Sequence, residues 1–479
     1  MRKVHLIGIC GTAMATVAVL LKERGLDVRG SDEHAYPPMS ELLASHGIRP
    51  LEGYRAEHIP DDLDLVVVGN AVSRGNAEVE TVLDRRIRYC SLPEIVREEF
   101  LWNARPIVVA GTHGKTTTSF MTAWALAETG AEPGFLIGGV SRDFGTSGRL
   151  GSGGGPFVIE GDEYDSAFFD KTAKFLKYLP EIVVVNAVEF DHADIYRDLD
   201  ELRLAFRRLV RLVPRGGRLL LCADDGEAAA LAAEAPCAVE TFGLADDADW
   251  RARHVRYESD ATAFDVLRGG QRVGSAVLPL LGAFNVRNAL GAVAAAACAG
   301  APPAAVIAAL GHFHGVRRRL EVRGVVRGVT VYDDFAHHPT AVRETLQALR
   351  APGTAGRLWA VFEPRSATAC RRVFQGAFAE ALQLADEVVV ADVFRSTLPA
   401  SERLSEGMLV ADLTARGVAA RHVPGAPEIA GLVAREARAG DRVVLMSNGD
   451  FGGAHERVLA ALASPARESD GRLDADTRG

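Results

Sequence analysis

Short runs of valine, isoleucine and leucine recur along this chain, each followed by helical spacing, and that alternation constrains the fold more than any other feature. The runs are Val4–Ile9, Leu65–Gly69, Ile107–Gly111, Phe157–Glu160, Ile182–Val188, Leu219–Cys222, Val329–Asp333, Leu358–Phe362, Val388–Ala391 and Val443–Met446. A continuous apolar run marks a strand covered on both faces, and strands alternating with helices build mainly parallel, doubly wound sheets. The fold class is therefore α/β. So many strands exceed one such sheet, and 479 residues exceed one compact core. Boundaries are expected near Asn103–Pro106 and Arg319–Gly324, giving domains at residues 1–104, 105–320 and 321–463. The polar tail, residues 464–479, is expected to be disordered. The glycine-rich stretch Gly145–Gly155 reads as a mobile hairpin or loop inside the second domain.

A net charge of −9 argues against a general binder of nucleic acid or anionic membrane, while leaving room for a local basic pocket. The six cysteines lie far apart with no C-x-x-C pair, so they read as reduced thiols of a cytosolic protein. Two segments imitate membrane or export signals. Arg2-Lys3 and the apolar stretch to Leu21 read instead as a strand, a glycine turn and a helix running into Lys22-Glu23-Arg24. Ala289–Leu310 carries no charge but is broken by Gly300 and Pro302-Pro303, which predicts two buried helices.

The strongest motif is Val108-Val109-Ala110-Gly111-Thr112-His113-Gly114-Lys115-Thr116-Thr117-Thr118. A buried strand ends in a glycine turn, and Lys-Thr opens a helix. Glycines let backbone N–H groups approach phosphate oxygens, and the helix N-terminus adds partial positive charge. Lys115 supplies a full charge to the β/γ-phosphates and Thr116 a hydroxyl for Mg²⁺, so ATP is the expected ligand. Val109 stands where the usual phosphate loop has its first glycine, so this loop is shorter. A tight strand–helix turn that merely carries a lysine is the bland alternative. A second turn, Gly8-Ile9-Cys10-Gly11-Thr12-Ala13-Met14, is not G-x-G-x-x-G but aims a helix N-terminus at an anion in the same way. It also fits simple strand–helix packing. Asp32, after the strand-like run Val28–Ser31, suits a hydroxyl of a nucleotide or sugar, or a solvated turn.

Glu160-Gly161-Asp162-Glu163-Tyr164-Asp165 follows a strand directly. Carboxylates so crowded repel unless cations neutralise them, and beside ATP the natural cation is Mg²⁺; an acidic surface turn is the alternative. Glu189-Phe190-Asp191-His192-Ala193-Asp194 also follows a strand, making His192 a candidate second-metal ligand or hydrogen-bonding group. Asn285 and Asn288 open an alanine-rich helix, where they contact a base or phosphate or else cap the helix. Arg317-Arg318-Arg319 is either a solvated cluster or a holder of phosphate and adenine. Tyr332-Asp333-Asp334-Phe335-Ala336-His337-His338-Pro339 lacks the partners of a zinc site and suits the positioning of nucleotide or product phosphate. Arg365 is a candidate clamp for a peptide carboxylate.

Together these residues resemble the Mur ligases, the ATP-dependent amide-forming family of peptidoglycan synthesis, from Gly8 to about His455. Gly-Thr-His-Gly-Lys-Thr-Thr-Thr is similar to the alanine-adding branch. Gly8–Met14, Asn70-Ala71-Val72-Ser73-Arg74-Gly75-Asn76, Glu160–Lys171, Glu189–Asp194, Phe362-Glu363-Pro364-Arg365-Ser366 and Met446-Ser447-Asn448-Gly449 are closer to a peptide-adding, recycling branch. The resemblance implies three domains: a Rossmann-like one for the UDP-sugar, a P-loop one for ATP, and a Rossmann-like one closing over the amine substrate. It implies Lys115 and His192 as catalytic residues, and Thr116, Glu160 and His192 as metal ligands. ATP contacts fall to Gly111, Thr112, His113, Gly114, Lys115, Thr116, Thr117, Asn285, Asn288, Arg319, Asp333 and His337. UDP-sugar contacts fall to Gly8, Cys10, Gly11, Thr12, Met14, Asp32, Asn70 and Ser73, and peptide contacts to Arg365, Ser447 and Asn448. Phe284 replaces a frequent family histidine. Leu204-Ala205-Phe206-Arg207-Arg208 offers no lysine of the kind that several relatives carbamylate.

The implied activity joins UDP-N-acetylmuramate to the murein tripeptide L-alanyl-γ-D-glutamyl-meso-diaminopimelate through an acyl phosphate, with ATP and Mg²⁺. The expected protein is cytoplasmic, a monomer or weak dimer, with no nucleic-acid or membrane partner. Addition of L-alanine is the rival within the family. A nicotinamide-dependent oxidoreductase would leave Lys115-Thr116 without a role, and a P-loop switch or transport ATPase would leave the first and third domains unexplained.

Overall fold

The computed structural model describes residues 1–193, 195–350, 356–394 and 398–464. Asp194 and, apart from Ser464, the tail expected to be disordered lie outside the described residues. The chain forms two compact units that part between Arg319 and Leu320. The expected boundary near residue 104 falls inside the first unit, between two separate sheets.

The first sheet is parallel throughout, with β1 (Lys3–Ile7), β2 (Asp27–Asp32), β3 (Leu51–Glu52), β4 (Leu65–Val68) and β5 (Tyr89–Ser91) in the order β3-β2-β1-β4-β5. The order reverses at β1, and parallel sheets open a ligand crevice at the carboxyl ends of strands at that point. The Gly8–Met14 turn leaves from there. Gly30 lets β2 pass beneath it, since a Cβ would lie 2.6 Å from both Leu6 O and Ile9 Cδ1.

The second sheet contains β6 (Arg105–Ala110), β7 (Gly134–Leu136), β8 (Gly148–Arg149) and β9 (Pro156–Glu160). A separate hairpin, β10 (Asp165–Ala167) and β11 (Asp170–Ala173), follows. The sheet resumes with β12 (Ile182–Val185), β13 (Arg218–Cys222), β14 (Ala238–Gly243), β15 (Trp250–Tyr257), β16 (Thr262–Arg268) and β17 (Gln271–Leu278). Its order is β17-β16-β15-β14-β13-β12-β6-β9-β7-β8. The centre is parallel, while β15–β17 and the β7–β8 pair are antiparallel. Strands β14 to β17 bear no continuous apolar run and extend the sheet beyond what that pattern announces.

Gly145–Gly155, expected as a mobile hairpin or loop, carries β8, which pairs antiparallel with β7. Arg149 of β8 lies over the rings of Phe135 and Phe144, 5.6 and 5.1 Å from their centroids. Gly151 packs so closely that a Cβ would stand 2.1 Å from the Gly134 nitrogen. The uncharged alanine-rich stretch forms two helices, Ala283–Cys298 and Pro303–Leu310. Among the described residues no helix is long and apolar enough to cross a membrane, and no disulfide joins the six cysteines.

The second unit holds β18 (Glu321–Val326), β19 (Val329–Asp334), β20 (Leu358–Phe362), β21 (Glu387–Val390), β22 (Ala419–His422) and β23 (Arg442–Met446), in the order β18-β19-β23-β20-β21-β22. Only the edge strand β18 is antiparallel. Trp359 and Phe362 of the central strand β20 are fully buried.

Candidate active site

Neighbouring strands β9, β6 and β12 end side by side, and each delivers one part of a site at its carboxyl end. From β6 comes the turn Gly111–Gly114 and the helix Lys115–Glu128. The turn is stapled to the segment after β12. The Thr112 backbone N–H donates to Ala187 O at 2.6 Å, the Thr112 hydroxyl donates to Glu189 O at 2.9 Å, and Asn186 Nδ2 donates to His113 O at 3.2 Å. His113 Nε2 lies 3.0 Å from Glu189 Oε2. Gly114, at φ +78°, approaches so closely that a Cβ would lie 2.3 Å from Asn288 Oδ1 and 2.7 Å from Asn186 Nδ2. Only glycine suits that position.

Lys115 is turned inward. Its Nζ donates to Gly111 O at 2.7 Å and to Glu163 at 2.9 and 3.1 Å. Glu163 is fully buried and also faces His192 Nε2 at 3.0 Å, while Tyr196 Oη donates to its carbonyl at 2.6 Å. Burial opposes the Lys115 charge, but the carboxylates of Glu163, Asp162 and Glu160 outweigh it and hold the ammonium above its ordinary pKa. Burial likewise opposes the Glu163 charge, and Lys115 and His192 still pull its carboxyl below the usual range. His192 is held up by Glu163 against its own burial. Its backbone is left-handed, at φ +56°.

The crowded acids are handled one by one. Asp162 pairs with Lys174 at 2.7 Å, Asp165 with Lys171 at 2.6 Å, and Glu163 with Lys115. Glu160 makes no ion pair among the described residues. It accepts from the Thr116 hydroxyl at 2.9 Å and from the Gly138 N–H at 2.7 Å, and burial raises its pKa. Thr116 and Glu160 thus present hard oxygen donors with a carboxylate short of a cation, a set suited to Mg²⁺. His192 meets Glu163 rather than Glu160.

The remaining nucleotide candidates divide. Arg319 Nη2 stands 3.4 Å from Thr116 Oγ1. Asn285 and Asn288 are buried behind the turn. Asn285 Nδ2 donates to Leu281 O at 2.8 Å, Asn288 Nδ2 donates to Asn285 Oδ1 at 3.2 Å, and Asn288 Oδ1 accepts from Thr118 at 3.2 Å. Neither caps the helix; both support the turn from below. Thr117 is buried in the helix. Asp333 and His337 belong to the second unit, at the end of β19. There Asp333 lies 3.1 Å from His455, and His337 Nδ1 lies 2.9 Å from Phe335 O.

At the end of β1, Gly8 adopts φ +82° and its N–H donates to Ser31 O at 2.8 Å. Asp32 accepts from the Cys10 N–H at 2.8 Å, so this carboxylate shapes the turn. Burial and Asp32 push the Cys10 thiol up to about 11, which makes it no nucleophile at neutral pH. Gly11 and Thr12 begin the first helix, and Met14 is buried within it. Asn70 Nδ2 donates to Asp165 Oδ1 at 3.1 Å, tying the end of β4 to β10, and Ser73 is exposed.

In the second unit, β20 and β23 lie side by side and release Arg365, Ser447 and Asn448 from their carboxyl ends. The Ser447 hydroxyl donates to Glu363, and the Gly449 N–H donates to Ser447 Oγ at 3.0 Å. Arg365 Nη1 donates to Asp450 Oδ1 at 3.0 Å. Among the described residues the Asn448 side-chain oxygen is buried without a hydrogen-bond partner.

Sequence reasoning singled out neither Glu163 nor Asn186 as site residues in their own right. The available signal for Glu163 was a further acid three residues beyond the strand-terminal Glu160, in a chain whose phosphate turn carries a single lysine.

Comparison with known families matches residues 3–100 to the Mur ligase family catalytic domain, 109–296 to the Mur ligase middle domain, and 318–449 to the Mur ligase glutamate ligase domain. The chain is 42% identical over 466 residues to UDP-N-acetylmuramate–L-alanyl-γ-D-glutamyl-meso-2,6-diaminoheptandioate ligase of Escherichia coli K12, covering 97% of this chain and 99% of that protein. It is 39% identical over 469 residues to UDP-N-acetylmuramate–L-alanine ligase of Kineococcus radiotolerans, covering 96% of each. The crystal structure of a murein peptide ligase from Psychrobacter arcticus superimposes with a TM-score of 0.72 at 36% identity, covering 97% of this chain and 99% of that one.

Proposed function

The chain belongs to the Mur ligase family, and on that premise we propose that it joins UDP-N-acetylmuramate to the tripeptide L-alanyl-γ-D-glutamyl-meso-diaminopimelate at the expense of ATP. The near full-length similarity to the Escherichia coli tripeptide ligase supports the choice of substrates. The observation that carries the chemistry is the inward Lys115, held by buried Glu163 in a glycine turn beside Thr116 and Glu160. In this reading residues 1–104 take the UDP-sugar, residues 105–320 take ATP, and residues 321–463 take the peptide, the work being done in the cytoplasm.

The lactyl carboxylate of the sugar nucleotide is a poor electrophile, so it must first be phosphorylated. Lys115 supplies the positive charge on which a terminal phosphate would rest, and the buried Glu163 fixes its direction. Thr116 and Glu160 would hold Mg²⁺, which when bound would offset the charge developing on the transferred phosphoryl group. The stapling of Thr112 and His113 to residues 186–189 keeps the turn's N–H groups in place before the nucleotide arrives, and a preorganised site spends little energy reorganising during the reaction. The attacking amine then displaces phosphate from the acyl group. Arg365, Ser447 and Asn448 are assigned to the peptide.

Addition of L-alanine is a second reading, favoured by the 39% identity to the alanine ligase. Phosphate release from ATP, measured with UDP-N-acetylmuramate plus either tripeptide or L-alanine, separates the two. The proposal expects release only when both sugar nucleotide and amine are present, with kcat/KM at least tenfold higher for the tripeptide. Release without either co-substrate, or a preference for L-alanine, would refute it.

A further inference from the structure

The turn Gly111–Gly114 and Glu160 sit at strand carboxyl ends of the second sheet. A cavity of about 260 Å³ opens at the other end of the same parallel strands. Arg105 opens β6, Glu181 precedes β12 and Arg218 opens β13, while Glu240 lies in β14 and Arg268 closes β16. The helix Ala283–Cys298 brings its last residue to the same wall. The volume is below that of a nucleotide or peptide site and suits a small polar ligand. Most of the charge here is matched. Arg105 donates to Glu181 at 2.6 and 2.9 Å and to Ala299 O at 3.2 Å. Glu240 accepts from the Trp250 indole at 2.7 Å and from Arg268 at 3.3 Å, and the Arg268 guanidinium lies 4.6 Å from the centroid of the Trp250 ring. Arg218 is the exception. Its Nη1 donates to Gly217 O at 2.9 Å, and among the described residues it makes no ion pair. Carbonyls of the helix end are also taken, Ala297 O by the Gly300 N–H and Ala296 O by the Ala301 N–H, both at 3.0 Å. Burial and Glu240 push the Cys298 thiol up to about 11 against the pull of Arg218 and Arg268, so it adds no negative charge at neutral pH. Three arginines therefore face two carboxylates. The excess is one positive charge on the half-buried Arg218, most of whose five N–H donors remain open.

We infer that this cavity binds a small oxyanion of the phosphate type, held by Arg218 with Arg268 beside it. A guanidinium offers parallel donors that match two oxygens of such an anion, and one unmatched cation calls for one anionic group. Arg268 is the natural second donor. Its contact with Glu240 is long for a charge-assisted hydrogen bond and engages only Nη2 among the described residues. Glu181 and Glu240 are each turned to an arginine of their own, which reduces their repulsion of an incoming anion. The cavity stands at the end of a 16-residue helix, about 24 Å long, whose opening turns carry Asn285 and Asn288 behind the phosphate turn. An occupant would therefore not compete with nucleotide. Nothing in the inference depends on which amine is ligated.

The test is calorimetric titration of the full-length protein with inorganic phosphate at constant ionic strength, the nucleotide site being filled first with a non-hydrolysable ATP analogue and Mg²⁺. One further phosphate is expected to bind per chain, with amide hydrogen exchange slowing at residues 216–218 and 297–300. Arg218→Gln should weaken that binding at least tenfold, and Arg218→Lys, which keeps the charge and loses the fork, should recover only part of it. Arg268→Gln should weaken it by a smaller factor. None of the three should change the KM for ATP more than about twofold. Glycerol 3-phosphate, titrated in the same way, separates two sources of the same chemistry. Tighter binding than phosphate assigns the site to a phosphorylated small molecule, and weaker binding assigns it to free phosphate. Absence of binding beyond the filled nucleotide site, or binding that Arg218→Gln and Arg268→Gln both leave unchanged, would overturn the inference and leave the ligase reading untouched.

Discussion

Lys115 and Glu163 bury opposite charges against each other, and a buried pair punishes loss of one partner more than loss of both. Lys115→Ala should therefore cost about 3 kcal/mol of stability as well as a hundredfold or more in turnover. Adding Glu163→Gln should return most of the stability and none of the activity, as read by urea unfolding and by phosphate release. A single variant as stable as the wild type would contradict the pairing. Asp441 gives a second residue-scale test, at the amino end of β23, opposite the end that carries Ser447. Burial opposes its charge, but the N–H groups of Arg357 and Arg438, the Arg357 guanidinium at 2.8 Å and the Trp359 indole pull its pKa below the usual carboxylate value. A carboxyl lowered by folding stabilises the protein fully above its unfolded pKa of about 3.9, and that contribution fades as pH falls through the lower folded value. Asp441→Asn should cost about 2–3 kcal/mol at pH 7, and calorimetry should show the gap from wild type narrowing below about pH 4.

At the scale of elements, the phosphate turn is held by what lies beneath it. Gly114→Ala would drive a methyl group into Asn288 and Asn186 and strain a left-handed backbone. Nucleotide affinity should fall at least tenfold while the rest of the chain stays folded, checked by calorimetric titration with ATP; unchanged affinity would show that the turn is looser than its contacts imply. The parallel strands were legible in the sequence because each is buried on both faces and so reads as an unbroken apolar run. Strands β15–β17 were not, because they alternate buried positions such as Trp250 and Ala252 with solvent-facing arginines, a pattern easily taken for a surface segment. The glycines of Gly145–Gly155 carry no apolar pattern either, and Gly151 lets two backbones touch there. The site followed the same logic. Glu160 closes a strand, and Lys115 and Thr116 open a helix straight after a glycine turn, so local pattern marks all three, whereas Glu163 and Asn186 work through partners distant in the chain that only the fold brings together.

At the scale of the whole molecule, three crevices at strand carboxyl ends follow one another along the chain: at β1 in the first sheet, at β6 in the second, and between β20 and β23 in the second unit. A Mur ligase has three things to hold, a sugar nucleotide, ATP and an amine, and the matched family segments fall on these three sheets in turn. Resemblance supplied the identity of the ligands; apolar periodicity supplied only the places for them. What unites the three is the claim that the sugar's carboxylate is activated by phosphorylation before the amine arrives. UDP-N-acetylmuramate labelled with ¹⁸O in the lactyl carboxylate tests this directly, by mass analysis of the phosphate released during tripeptide ligation. One ¹⁸O should pass to phosphate for every amide bond formed; phosphate free of label, with ligation proceeding, would contradict the account.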